Sequence, residues 1–293
     1  MGKEGAFLLE PQYDGVHVRC DRPALVYVLR KSGSWTRKWG VVTSDGRVAA
    51  TTTFSDIRHP ESPHHDLILL CGDKRWGLVN VRTLTTAIPI SYDRIDVWGR
   101  DLYAAWSGKH VGLVTAAGEW RLPVAAMVDS LPSSLRNNHG PIHAKSGIGL
   151  ISGDGEIALP CRYEDVGSIS EGLVPAKQGG RWGYVNLDGK WIVPPRYEEA
   201  GAFLNGFAAV RQDGRVGLID KRSKVRVPFR YADAGYVLND RFPFADEKDG
   251  KRLWGVADLA GNTILPSEYD CVEWIDLEPG TTRYHGKPGW SEF

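Results

Sequence analysis

The chain has 293 residues, and its 36 Lys plus Arg balance 36 Asp plus Glu, so the formal net charge is zero. That balance offers no global field for nucleic acid or an anionic membrane, and no stretch approaches the roughly 20 apolar residues of a membrane-spanning helix. The opening MGKEGAFLLEPQYDG has acidic groups, too short an apolar run for a secretory signal and Ala6 where myristoylation needs a hydroxyl residue, so a cytoplasmic location is expected.

A recurring glycine organises the elements. Gly40, Gly77, Gly112, Gly149, Gly183, Gly217 and Gly255 lie 37, 35, 37, 34, 34 and 38 residues apart, and Trp39, Trp76, Trp182 and Trp254 precede four of them. Such a period marks one supersecondary unit copied in tandem, each copy leaning on its neighbours for a core.

The chain opens inside a unit, because Gly5 to Tyr13 has the glycine-to-tyrosine spacing of Gly189 to Tyr197. The unit at Gly40 keeps the frame through Gly46, Thr51 and Phe54 but lacks the proline. Next comes His59-Pro60-Glu61-Ser62-Pro63-His64-His65, which has the ligand types of a zinc or nickel site. Its two prolines mark a surface loop without the fixed geometry a metal needs, so no metal is assigned. His59, Glu61, His64 and His65 are candidate partner contacts instead. The unit from Gly77 to Tyr92 carries one extra residue, and Trp98 and Trp106 fall outside the motif column as candidate interface anchors. Gly112, Gly118 and Pro123 follow the spacing, with Ala126 where a tyrosine is expected. The stretch 130–143 is irregular and contributes Arg136 and His139 as candidate contacts.

The frame then sharpens to Gly149, Gly155, Pro160, Tyr163 and to Gly183, Gly189, Pro194, Tyr197. In this clearest copy Trp-Gly-Tyr-Val-Asn at 182–186 predicts a first strand, Asp188-Gly189 a hairpin turn and 190–193 a second strand. Pro194 and Pro195 are expected to end that strand, since proline cannot donate to a ladder. A third strand follows at 207–210, closed by Asp213-Gly214, and a fourth forms if 199–203 pairs. No segment shows a sustained helical apolar period. Gly217, Ser223, Pro228, Tyr231 repeats the pattern, followed by the irregular 236–252 with Asp246 and Lys248 as candidate contacts. Gly255, Gly261, Pro266, Tyr269 precedes the irregular 273–285, where Trp274 is a further candidate anchor. The last residues, 287–293, fall where 181–187 fall in the clear copy, so residues 5–34 and 287–293 make one unit split between the ends.

The fold expected is all-β: eight tandem β-meander repeats of about 36 residues in a single array over 1–293. The complementary ends point to a propeller-like closed ring; an open β-superhelix is the alternative. The tryptophan and tyrosine columns are read as stacked core rings, with the glycine letting a backbone pass close to the tryptophan. The acidic column Asp14, Asp93, Glu164, Glu198 and Asp270, with Arg162, Arg196 and Arg230 before the tyrosine, is read as charge ladders between neighbouring repeats. Cys20, Cys71, Cys161 and Cys271 lie far apart without a CxxC and are read as free, buried thiols. Nothing matches a nucleophile elbow, a phosphate-binding loop or a dinucleotide fingerprint, so no catalytic residue, cofactor or metal is assigned and no enzyme is expected.

With the Trp-Gly pairs, the Asp-Gly turn, the Pro-x-x-Tyr step and the tail at Phe203, Gly206, Ala208 and Val210, the chain resembles bacterial WG-repeat proteins over nearly its whole length. The resemblance implies a β-rich repeat without a known active site, and an association with toxin–immunity loci, where an intracellular repeat protein blocks a delivered toxin. The expected function is therefore a non-catalytic protein-binding repeat, in its sharper form an immunity protein holding one toxin partner. The alternatives are a ligand- or glycan-binding module, an enzyme with a site at the ring axis, or a purely structural scaffold.

Overall fold

A computed structural model describes residues 13–19, 25–32, 36–60, 66–99, 101–278 and 281–287. The terminal pieces expected to complete one another, 5–12 and 288–293, lie outside them. The chain divides into two compact units, 1–131 with 153–156, and 132–152 with 157–293.

In the first unit, Gly15–Arg19, Leu25–Ser32, Thr36–Thr43 and Val48–Phe54 pair in order as one antiparallel sheet. Asp56–Arg58, Leu67–Gly72, Arg75–Asn80 and Thr85–Tyr92 make the next. Arg94–Val97, Leu102–Ser107, His110–Thr115 and Trp120–Leu122 follow. In the second unit, His139–Ala144, Gly147–Ser152 and Ile157–Tyr163 pair first. Three four-stranded sheets come next: Asp165–Val166, Val174–Gln178, Arg181–Val185 and Trp191–Tyr197; Glu199–Ala200, Phe207–Gln212, Arg215–Asp220 and Val225–Tyr231; Asp233–Ala234, Arg241–Lys248, Lys251–Asp258 and Thr263–Tyr269. A hairpin of Cys271–Glu278 and Thr281–Lys287 closes the described chain.

Five of the described sheets are four-stranded, and the expected fourth strand is the two-residue pair Glu199–Ala200 against Val210 and Arg211. The sheets are out of phase with the sequence repeat. The Trp-Gly strand is the third of its sheet, and the chain crosses to the next sheet just after the tyrosine, so a copy counted from glycine to glycine takes strands from two sheets.

Most second and third strands contain continuous apolar runs, as in Leu-Ile-Leu-Leu-Cys at 67–71, all buried, although Phe207–Gln212 alternates. Such a run is the pattern of strands covered on both faces. The cores accordingly lie between neighbouring sheets. Val41 and Leu25 meet Ile68 and Leu70, and Leu69 and Leu78 meet Tyr103 and Val114. In the second unit Leu159 and Tyr163 meet Val174 and Val185, Tyr184 and Tyr197 meet Ala208 and Ile219, and Leu218 and Tyr231 meet Phe242 and Ala257. Each buried Val, Leu, Ile or Phe among these contributes roughly 1.5–3 kcal/mol. Rings do touch from sheet to sheet, but through partners off the Trp-Gly column: Tyr163 packs edge-on to Trp191 with centroids 5.8 Å apart. The column tryptophans themselves are half-buried.

Three expectations need correcting. Pro194 and Pro195 do not end a strand, because Trp191–Tyr197 runs through both. It is the last strand of its sheet, bonded to one neighbour, and an edge tolerates residues that cannot donate. The column glycine serves the adjacent strand rather than the tryptophan ring. A Cβ on Gly112 would sit 2.7 Å from the Leu122 carbonyl oxygen, on Gly217 2.7 Å from that of Val227, on Gly255 2.5 Å from that of Leu265. On Gly183 it would collide with the Val193 carbonyl. The register slips by a bulge beside each of these glycines, between Trp182 and Tyr184 for Gly183, and the bulged backbone takes the space of a side chain. Lastly, the acidic column mainly caps hairpins within its own sheet: Glu164 accepts from the Gly179 and Gly180 amides at 2.6 and 3.0 Å, and Glu198 from Gly214 at 2.9 Å. Charge pairs across neighbouring sheets do form, but from Arg75 to Asp93 (2.6 Å) and Arg181 to Glu198 (3.3 Å). The column arginines lie over their tyrosines and donate onward, Arg162 to the Gly189 carbonyl and Arg230 to that of Gly261, both at 2.7 Å.

Among the described cysteines, Cys71, Cys161 and Cys271 carry no disulfide. Cys71 is buried and the other two are half-buried, and burial pushes the Cys161 thiol up.

Candidate functional site

The second unit gathers four tight turns ahead of its successive long strands. Each is closed by a two-residue bridge: Arg136 with His139, Ser170 with Leu173, Leu204 with Phe207, Leu238 with Arg241. The central pairs all have positive φ, Asn137 and Asn138 at 49° and 59°, Glu171 and Gly172 at 51° and 81°, Asn205 and Gly206 at 53° and 83°, Asn239 and Asp240 at 50° and 59°. That is the backbone of the type I′ turn, which explains the Asn, Asp and Gly found there. The turns are tied to one another. Asn137 Nδ2 donates to the Ile169 carbonyl and Asn205 Nδ2 to that of Val237, each at 2.8 Å. Glu171 breaks the asparagine series: its carboxylate accepts from the Gly206 amide at 3.2 Å and pairs with Lys221 at 2.8 Å. Burial raises its pKa, but the Lys221 and Gly206 hydrogen bonds outweigh that and hold the carboxyl below its usual range.

Two hollows lie along these turns. One of about 630 Å³ is walled by the 168–170, 201–204 and 234–237 loops, with Arg136 at its end. The other, about 350 Å³, is walled by 132–134, Gly140, Pro141 and 166–169. Arg136, Ser168 and Ile169 line both, so the two form one trough. Its floor is apolar, with Ile169, Phe203 and Val237 buried, while Leu204 and Tyr236 stand at 40% and 52% exposure. The Tyr184 hydroxyl donates to the Gly201 carbonyl at 2.7 Å and steadies the wall from below. Neither hollow is lined by Asp or Glu; the basic side chains are Arg136 and His139. His139 Nδ1 lies 2.8 Å from the Asn137 carbonyl. The Arg136 guanidinium has no hydrogen-bond or ion-pair partner among the described residues.

The structure thus brings two candidate contacts, Arg136 and His139, to one site. The others are elsewhere or committed. His59 bonds the Tyr27 hydroxyl and meets its ring edge-on at 5.9 Å, while Glu61, His64 and His65 lie outside the described residues. Trp106 donates Nε1 to Asp96 at 3.0 Å under the Arg94 guanidinium. Trp98 is half-buried at the turn after Arg94–Val97, its amide bonded to the Leu102 carbonyl. Asp246 and Lys248 both engage Ser267, through its hydroxyl and its carbonyl at 3.1 Å each. Trp274 lies in the strand Cys271–Glu278, opposite Tyr284. Sequence reasoning missed Ser168, Ile169, Ser170 and the 201–204 wall, because these obey the repeat; the recurring Asn or Gly turn 34 residues apart, at 137, 171, 205 and 239, was the available signal. Among the described residues no three His, Cys, Asp or Glu side chains group to hold a metal, and no helix is long and apolar enough to cross a membrane.

With this geometry in place, comparison with known proteins bears on the family. The model of the WG containing repeat matches residues 148–182 and 182–215. Residues 148–215 thus carry two WG repeats. These two copies span Gly149 and Gly183, the bulges beside them and the turns at 170–173 and 204–207 that wall the trough. No curated protein matches the chain. Among solved structures it is similar to a eukaryotic initiation factor (10% identity, 85% of this chain and 76% of that one, TM-score 0.38). It is likewise similar to AztD from Citrobacter koseri (12%, 85% and 84%, 0.34). A third is the β-propeller domain of the Trilobed protease from Pyrococcus furiosus (10%, 84% and 95%, 0.33). At these scores the likenesses carry no argument about function.

Proposed function

We propose that the chain is a non-catalytic protein-binding repeat protein, and in the sharper form an immunity protein of the bacterial cytoplasm that neutralises a cognate toxin. The observation that carries the binding reading is the division of labour among side chains. The repeated Gly, Tyr, Arg and acidic residues are consumed by bulges, cores and turn caps, whereas the WG-repeat turns leave an apolar trough with Tyr236, Leu204 and the Arg136 guanidinium free. Exposed aromatic and arginine side chains beside an apolar hollow are the usual anchors of protein interfaces. The toxin step rests on the family association alone. The proposal includes continuation of the repeat frame through eight units, the eighth split between 5–34 and 287–293, and closure of the ends on one another; both rest on the sequence.

Cross-linking of the tagged full chain in its source cells, followed by mass spectrometry, tests the reading. A single dominant protein partner is expected, and cells lacking the chain should become sensitive to toxins of neighbouring cells. Recovery of no protein partner overturns the binding reading; recovery of a partner with unchanged sensitivity overturns only the immunity form. The size of the larger hollow, about 630 Å³, falls within the range of small-molecule sites. A small ligand or glycan is therefore the second reading, favoured if a metabolite rather than a protein copurifies.

A further inference from the structure

We infer that the trough of the second unit seats an extended acidic segment of the partner, with one carboxylate on Arg136 and a large apolar side chain beside Leu204 and Tyr236; this rests on the protein-binding reading above. Three observations converge on that chemistry. The first is shape. Because the two hollows share Arg136, Ser168 and Ile169, the cavity runs past successive turns instead of forming one enclosed chamber. An extended chain fills such a trough, whereas a compact ligand occupies one hollow and leaves the other to water.

The second is charge. No carboxylate lines either hollow, and the basic side chains there are Arg136 and His139. Four arginines elsewhere in this unit are engaged: Arg162 and Arg230 hold turn carbonyls, Arg211 pairs with Glu199 at 2.9 Å and Arg252 with Asp233 at 2.9 Å. Arg136 stands without such a partner, at the junction of the two hollows. A planar guanidinium there takes a carboxylate through two parallel hydrogen bonds. The third is preorganisation. The turns carrying the trough are locked by Asn137 on Ile169, Glu171 on Gly206 and Asn205 on Val237. Little ordering is then lost on binding, and the exposed Tyr236 and Leu204 offer apolar surface at the far end. The sequence also supports the assignment, because Arg136 and Tyr236 both fall in stretches that break the consensus, and these two set the chemistry of a hollow whose 168–170 and 201–204 walls follow it.

The test uses the full chain, immobilised, against a phage-displayed library of random linear peptides. The expected result is enrichment of sequences with Asp or Glu within a few residues of Leu, Phe or Trp. Binding of the selected peptides should fall about tenfold or more in Arg136→Glu and in Tyr236→Ala, which is about 1.4 kcal/mol or more. Lys190→Glu, at an exposed turn outside the trough, should leave it unchanged, and all three variants should melt with the wild type. Enrichment of neutral or basic peptides, retention of acidic peptides by Arg136→Glu, or no enrichment on the wild-type chain each overturns the inference. The same Arg136→Glu chain is used in the cross-linking experiment. If a protein partner is captured equally by both, this site assignment falls while the protein-binding reading stands; if none is captured by the wild type, that reading itself falls.

Discussion

In the second unit, Arg162, Arg196 and Arg230 lie over the tyrosines that follow them, 5.3, 5.0 and 4.7 Å from the ring centroids, and reach on to the next turn. In the first unit Thr53 and Ser91 stand at those places, before Phe54 and Tyr92. Tyr163, Tyr197 and Tyr231 are buried, whereas Tyr92 is half-buried and leans on Trp120 with centroids 5.8 Å apart. Yet the glycine column is the same in both units: a Cβ would stand 2.8 Å from the Ala50 carbonyl oxygen at Gly40 and 2.7 Å from that of Val227 at Gly217. The comparison separates two kinds of repeated residue. The glycine answers a demand of the bulged backbone and survives when the rest of the motif blurs. The Arg–Tyr latch is added onto that frame, and the recognised WG copies at 148–215 fall where it is present.

The sharpest way to break this comparison is to add one methyl group in each unit. Gly183→Ala and Gly112→Ala should both cost about 3 kcal/mol or more by chemical denaturation, since the added methyl meets backbone at both, and the Trp120 ring as well at Gly112. Tolerance of Gly112→Ala would mean the first unit does not share the bulge constraint. Next in size, Tyr197→Ala should cost about 3–5 kcal/mol as a large buried ring is lost, and Tyr92→Ala about half as much; equal losses would erase the distinction. Asn205→Ala should cost about 1–3 kcal/mol, because it leaves the Val237 carbonyl without its donor and puts alanine at positive φ. Arg162→Ala is expected to cost about 1 kcal/mol, the value of one partly exposed hydrogen bond.

The smallest effect is on pH. Glu171 and Glu198 are held below their usual range, Glu171 against the opposing pull of burial and Glu198 first by the Gly214 amide. Asp45 is lowered by Thr43 first and Asp258 by Asn262 first. A carboxyl with a lowered folded pKa contributes stability above its unfolded pKa and loses it as pH falls through the folded value. The melting temperature should therefore be flat from neutrality to about pH 5 and decline below about pH 4. In Glu171→Gln that decline should be shallower.

The architecture was legible because its most demanding constraint is written in one residue type. The bulge needs glycine and the I′ turns need Asn, Asp or Gly, so period and strand identity could be read directly. The phase of the sheets could not, because prolines such as Pro194 and Pro195 look like strand ends until the strand is known to lie at an edge. At the site, Arg136 and His139 were found because 130–143 departs from the consensus. Ser168, Ile169 and 201–204 were missed because wall residues that obey the repeat carry no local signal of exposure. Trp106, Asp246 and Lys248 looked distinctive for the opposite reason: they break the motif, yet their polar atoms are satisfied inside the scaffold.

The central claim is that repeated columns build the frame and the trough does the binding. It is tested most directly by capturing the partner on two double variants, Arg136→Glu with Tyr236→Ala, and Arg162→Ala with Arg196→Ala, each also followed by thermal melting. The account predicts that the first loses the partner and melts with the wild type, and that the second keeps the partner and melts lower. A first variant that still holds the partner, or a second that loses it while folded, would contradict the account.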